Sequence, residues 1–185
     1  MKFNKTLSNI QFITRTGMLL ALTVVFQMVG RAIPAPANSF ITGTLVNACL
    51  LVATLFGGLW SGIIISILAP FTSLINNHAA IASALLPFAP VVALGNVALV
   101  VAFYMFRNKS KIGGIAIGTA VKFLILYGGI LGFFKLLEVT GVTQLAKFKP
   151  VMIVLFSYPQ IITALLGGVI ALIVIQLLRK QLKLK

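Results

Sequence analysis

Few residues in this chain can do chemistry. Lys122 stands in the middle of TAVKFLILYGG (119–129), one of the most apolar runs in the sequence, with no Asp or Glu in or beside it. Other apolar runs carry neutral polar groups: Asn47, Asn96, and Gln160 with Ser157 and Tyr158 around Pro159. Asn76, Asn77 and His78 follow one another directly. An ammonium with amides and hydroxyls, but no carboxylate, can donate hydrogen bonds and hold an anion. What is missing narrows the choice further. One acid, Glu138, and no Asp leave nothing to build a carboxylate-ligated Mg²⁺ or Ca²⁺ site. The same shortage removes the buried carboxylate that couples proton or Na⁺ movement to transport. There is no Gly-x-x-x-x-Gly-Lys-[Ser/Thr] phosphate loop, so the chain does not itself hydrolyse ATP. One His and one Cys, far apart in sequence, argue against a hydrolytic triad or a zinc site. The lone Cys49 excludes an internal disulfide and a cysteine-based metal cluster. Neither an enzyme nor a self-powered transporter is expected, and no metal or cofactor.

These groups must be positioned by membrane-spanning helices. The 185 residues are 60% hydrophobic, with a mean hydropathy of +1.13. Several apolar runs approach the roughly 20 residues that cross a bilayer core. A net charge of +14 could suggest nucleic acid, but most cations flank apolar segments and form no single patch, so no nucleic-acid partner is expected. The reading is an all-α integral membrane protein, a single transmembrane domain over 1–185 with six helices near 12–31, 43–56, 58–75, 84–106, 112–137 and 150–178. Phe56-Gly57-Gly58 makes a tight hairpin turn between the second and third. LLPFAP opens the fourth with two prolines that can leave backbone carbonyls unpaired. Pro159 predicts a kink in the last. With the N-terminus inside, ten of the fifteen cations fall on the cytoplasmic side and four (Arg31, Lys135, Lys147, Lys149) outside. The positive-inside rule is thus met with both termini cytoplasmic. MKFNK, an apolar run and APA at 35–37 resemble a secretory signal. Cleavage there would leave an odd number of spans and put the basic loop 107–111 outside, so the first helix is expected to be retained.

On this topology Lys122 lies ten residues into its helix, about 15 Å from the cytoplasmic side and too deep to snorkel. Gly114, Gly118 and Lys122 recur every fourth residue, a small-residue face that turns the ammonium into the bundle. Its partners must be carbonyls, amides, water or an anionic ligand. A packing lysine on broken-helix carbonyls is the plainer reading, and ligand binding is preferred because intramembrane charges are functional by default. Asn47, Asn96, Ser157, Tyr158, Gln160 and the 76–78 loop each have structural uses as interhelical bonds, caps or interfacial rings. Together in the outer half they describe a polar cavity reached from outside and suited to a small molecule. Residues 31–43 (RAIPAPANSFITG), stiffened by prolines and charged by Arg31, are either a lid or a plain linker. Gly17 and Ala21 on helix 1 form a small-xxx-small pair for packing within the bundle or docking a membrane partner.

The chain resembles the substrate-binding (S) components of energy-coupling factor (ECF) vitamin transporters over nearly its whole length. The residues carrying the resemblance are TGTLVNACLLVATLFGGLWSGIIISILAP (42–70), PFAPVVALGN (87–96), Lys122 in AVKFLILYGG, and PQIITALLGGVIAL (159–172). The resemblance implies a compact six-helix bundle in a prokaryotic cell membrane that binds a vitamin from outside. It also implies docking on a transmembrane coupling (T) protein and two cytoplasmic ATPases, followed by reorientation in the lipid bilayer. The family's docking surface includes an Ala-xxx-Ala motif on helix 1. Gly17 and Ala21 occupy the matching positions, with glycine in place of the first alanine, and docking becomes the preferred role of that pair.

Lys122 with Arg31 above it suits a carboxylate such as that of pantothenate, or equally an uncharged ring oxygen. The single Trp60, on the cytoplasmic side of helix 3, argues against an indole cage for a large flat ring. A small vitamin follows, pantothenate or a pyridoxine-like compound. The expected site has Lys122 as principal donor, with Asn96, Asn47 and Gln160 orienting the ligand. Arg31, Asn77, His78 and Tyr158 line its outer part, beneath the 31–43 and 76–83 loops. Two other classes stay open: a stand-alone small-solute transporter, and a non-transporting assembly subunit in which Lys122 serves only packing.

Overall fold

The computed structural model describes residues 9–34, 37–75, 85–141 and 144–181. Helices α1 (Asn9–Arg31), α2 (Ala37–Phe56) and α3 (Leu59–Ile75) come first. A 3₁₀ turn (Leu86–Phe88) leads into α4 (Ala89–Phe106), which is followed by α5 (Lys111–Thr140). A second 3₁₀ turn (Ala146–Phe148) leads into α6 (Lys149–Leu155) and α7 (Tyr158–Gln181). Five stretches are long and apolar enough to cross a membrane, the last running over Ala146–Leu178, and the shorter apolar α3 completes six passes. No strand occurs among the described residues. The protein is a multi-pass, all-α membrane bundle.

Local chemistry sets the ends of these helices. The hairpin between α2 and α3 turns on Gly58, whose φ of +89° is left-handed. The Ser110 side chain accepts from the Gly113 N–H at 3.0 Å and caps the start of α5. Gly141, at φ +72°, closes the other end. The 30 residues of α5 span about 45 Å, more than the ~30 Å hydrocarbon core. Its far end therefore stands clear of the membrane, where Glu138 pairs with Lys149 at 2.6 Å.

Two expectations are corrected. The second helix starts at Ala37, not near residue 43, so most of the expected 31–43 loop is helix and the connection shrinks to a few residues after Arg31. The Asn38 N–H already reaches the Pro34 carbonyl at 3.2 Å, a helix-type bond four residues back that opens α2. The last pass is broken, not kinked: Phe156 and Ser157 separate α6 from α7. Pro159 has no N–H for the Leu155 carbonyl four residues back. The Gln160 side chain supplies the missing donor at 3.0 Å.

Helix α2 is the axis of the bundle, with residues 47–55 buried without interruption. It packs most intimately on α7, as α4 does on α5. In lipid such contacts depend on close backbone approach more than on apolar burial. At Gly118 a Cβ would sit 2.9 Å from the Leu99 carbonyl of α4, and at Gly167 2.7 Å from the Thr44 carbonyl of α2. One apolar core, with Leu51, Leu99, Phe103 and Ile175, fills the end towards Gly57. A second, around Phe88, Leu126, Phe134 and Met152, fills the end towards Arg31, which the cation count places outside.

Candidate substrate cavity

Lys122 is 3% exposed, at the middle of the bundle. The Gly114–Gly118–Lys122 face lies on α4, where the lysine stem runs past Gly95. Its Nζ then crosses to α2 and donates to Asn47 Oδ1 at 2.6 Å. Asn47 is itself held against Gly167 of α7. The pair thus joins α5 to α2, with α7 behind it. An ammonium has three hydrogens, and Asn47 takes one. One turn along α5, the buried Thr119 hydroxyl has no hydrogen-bond partner among the described residues. A buried polar group left unpaired is costly, so this midplane cluster has spare capacity for water or a ligand.

Above it, at the Arg31 end, is a cavity of about 240 Å³. Helix α1 contributes Gln27 and Arg31, and the opening turns of α2 contribute Asn38, Ser39 and Thr42. Ser73 of α3 faces Gln160 and Thr163 of α7, and Leu85, Leu155 and Phe156 form the apolar wall. No acid lines it. The lining therefore offers one permanent cation and a set of neutral donors and acceptors, suited to an anionic or neutral polar molecule. Gln27 is also structural. Its Nε2 donates to the Ala69 carbonyl at 2.9 Å, and its Oε1 accepts from Thr72 at 2.8 Å, so the α1 wall is fixed to α3.

Thr163 and Gly43 close the floor, so near that a Cβ on Gly43 would lie 3.2 Å from the Thr163 methyl. Asn47 and Gly167 each follow one turn deeper, which puts the Lys122–Asn47 pair about 5 Å beneath the floor. Arg31 and Gln160 therefore line the cavity, whereas Lys122 and Asn47 lie under it, bonded to each other. Asn96, 4% exposed, is buried on α4 beside Gly95 and does not line it. Tyr158 is 58% exposed and turned away from the cavity. Asn77 and His78, with Asn76 and the 76–83 loop, lie outside the described residues. On α1, Gly17 and Ala21 are exposed, and nothing comes within 4 Å of a Cβ placed on Gly17.

Several cavity residues escaped the sequence reading. Asn38, Ser39 and Thr42 sit in 31–43, where the prolines suggest a loop. Read as helix, Asn38 and Thr42 share one face, as do Gln160 and Thr163. Gln27, an amide deep in the apolar part of α1, carries the clearest signal of them.

This arrangement defines a helical membrane protein with a polar cavity at one face that no acid lines among the described residues. The profile of the family described as ECF transporter, substrate-specific component, matches residues 11–179, and the chain belongs to that family. Comparison with curated proteins and with solved structures gives no match.

Proposed function

We propose that this protein captures a small water-soluble vitamin from outside the cell and delivers it inward as the substrate-specific subunit of an ATP-driven importer in a prokaryotic cell membrane. The observation that carries this reading is the cavity: about 240 Å³, open at the Arg31 end, with one guanidinium, several amides and hydroxyls, and no acid. A cationic substrate would meet Arg31 uncompensated, while a carboxylate or a ring oxygen would find a donor. Pantothenate or a pyridoxine-like compound fits both the chemistry and the size. Arg31 engages the ligand at the mouth, with Gln160, Asn38 and Thr42 around it. Lys122 waits below with two ammonium hydrogens beyond the one given to Asn47. A ligand that parts Gly43 from Thr163 reaches it, at the cost of dehydrating the charged groups on both sides.

Energy comes from partners. A transmembrane coupling protein and two cytoplasmic ATPases would supply the work, and the exposed Gly17–Ala21 face of α1 permits close helix approach to the former. The test is native mass spectrometry of the purified protein after expression in rich medium, with thermal-shift titration of a vitamin panel. A retained vitamin-sized mass, lost in Arg31→Ala or Lys122→Met, supports the reading. A ligand-free protein that no vitamin stabilises refutes it.

A further inference from the structure

Among the described residues three side-chain amides line the cavity, Gln27, Asn38 and Gln160, and the chain commits each differently. Gln27 has both ends engaged, its Nε2 on the Ala69 carbonyl and its Oε1 accepting from Thr72. Asn38 has its oxygen engaged, since Oδ1 accepts from Ser39 Oγ at 3.1 Å. What it offers a ligand is the Nδ2 donor. Gln160 is the reverse. Its Nε2 donates to the Leu155 carbonyl at 3.0 Å. A carbonyl only accepts, so the nitrogen must be the end turned towards it. The two ends of a planar amide diverge, which turns Oε1 away from that contact. No described residue donates to this oxygen.

Pro159 fixes that orientation. It has no N–H for the Leu155 carbonyl, and a flipped Gln160 amide would set two oxygens against each other. Gln160 stands one turn above Thr163, which closes the floor, so its oxygen belongs to the α7 wall of the cavity. The rest of the lining is rich in donors, with the Arg31 guanidinium and Asn38 Nδ2 foremost. Of the three amide oxygens, only that of Gln160 is uncommitted among the described residues. We infer that Gln160 is a specificity-determining residue of the proposed vitamin site, accepting a hydrogen bond from the substrate through Oε1. The inference rests on that reading of the cavity and adds the substrate class. The molecule carries an anionic or acceptor group for Arg31 and Asn38, and a hydroxyl or amide N–H for Gln160. A simple carboxylate of the same size leaves the amide oxygen dehydrated and unpaired, and is rejected.

The experiment is titration calorimetry of the purified full chain with pantothenate and pyridoxine. Each is compared with analogues in which one O–H or N–H at a time is replaced by C–H or methylated. The parent binds one of the vitamins, and one analogue of it loses about tenfold or more in affinity. In Gln160→Leu, and equally in Gln160→Met, that analogue binds within about twofold of the vitamin itself. Comparing two ligands on one variant cancels whatever the substitution does to the α6–α7 junction. Asn38→Ala weakens the vitamin but leaves the ratio between vitamin and analogue intact. Three results overturn the inference while the vitamin reading stands: a parent that binds vitamin and every analogue alike, a discrimination that survives both Gln160 variants, or one that collapses equally in Asn38→Ala. A parent that binds neither vitamin overturns the inference together with the assignment on which it rests.

Discussion

The Lys122–Asn47 bond makes a quantitative demand on stability that can be measured without any ligand. Asn47 accepts from the ammonium at 2.6 Å, and the residues are 2% and 3% exposed. Asn47→Ala leaves a buried lysine without its acceptor, a loss of roughly 2–3 kcal/mol for a charged bond. In a chain of this length that lowers Tm by about 5–10 °C. Lys122→Met keeps the stem that runs past Gly95 and removes only the charge. It leaves a neutral amide unpaired, at about 1–2 kcal/mol. The double variant removes donor and acceptor together, so its loss falls short of the sum of the singles by about 1.5 kcal/mol or more. Thermal unfolding in one detergent, with the four proteins compared in ligand-free form, reads this coupling. Additivity within about 0.5 kcal/mol would refute the reasoning. The ammonium would then be satisfied elsewhere, and the bond to Asn47 would be incidental.

Arg31→Ala is expected to weaken binding of an anionic vitamin about tenfold or more, and that of a neutral analogue far less. Parallel titration calorimetry of the two ligands checks this. Gly167→Ala drives a Cβ to within 2.7 Å of the Thr44 carbonyl and of Asn47 Cβ. It should cost roughly 1–3 kcal/mol in thermal unfolding and disturb the Lys122 pair with it. Gly58→Ala, at a φ of +89° but with open space around it, should cost about 1 kcal/mol from backbone strain alone and leave ligand affinity unchanged. Gln160→Leu removes the donor that serves the Leu155 carbonyl. A loss of about 1 kcal/mol is expected, with faster amide exchange confined to the α6–α7 junction.

The helical passes were legible because twenty-residue apolar runs and the sidedness of cations are composition signals, independent of how helices pack. Lys122 was legible for a related reason, since a charge among apolar residues stands out in one dimension. Its partner was harder to find. Asn47 is 75 residues away, and only the close approach of α2 to α7 at Gly167 shows why it faces α5. The start of α2 was misread because Pro34, Pro36 and Gly43 look like loop punctuation. Gly43 is instead a contact point, small because Thr163 lies against it. The break at Ser157 was half visible: proline announces a lost hydrogen bond, but not that Gln160 would replace it. The cavity was least legible, because it is made of hydroxyls and amides from four helices whose convergence depends on those contacts.

The fully buried residues of helix α1 are Thr16, Thr23, Gln27 and Gly30, with Leu19 and Leu20 packed partly buried against the cores beside them. Its outward side carries Ile10, Ile13, Met18, Leu22, Val25 and Met28. In water such a helix would be inside out. In a bilayer it behaves as a stave held by pegs: Arg15 on the Phe56 carbonyl, Thr16 on Ser61, Gln27 on the Ala69 carbonyl. Oil cannot tell one rotation of an apolar helix from another, so these pegs, with Leu19 and Leu20 on the core, set its register. Bonds of this kind are worth well under 2 kcal/mol each in membranes. The stave that forms one wall of the polar cavity is thus held in place by bonds that are individually weak.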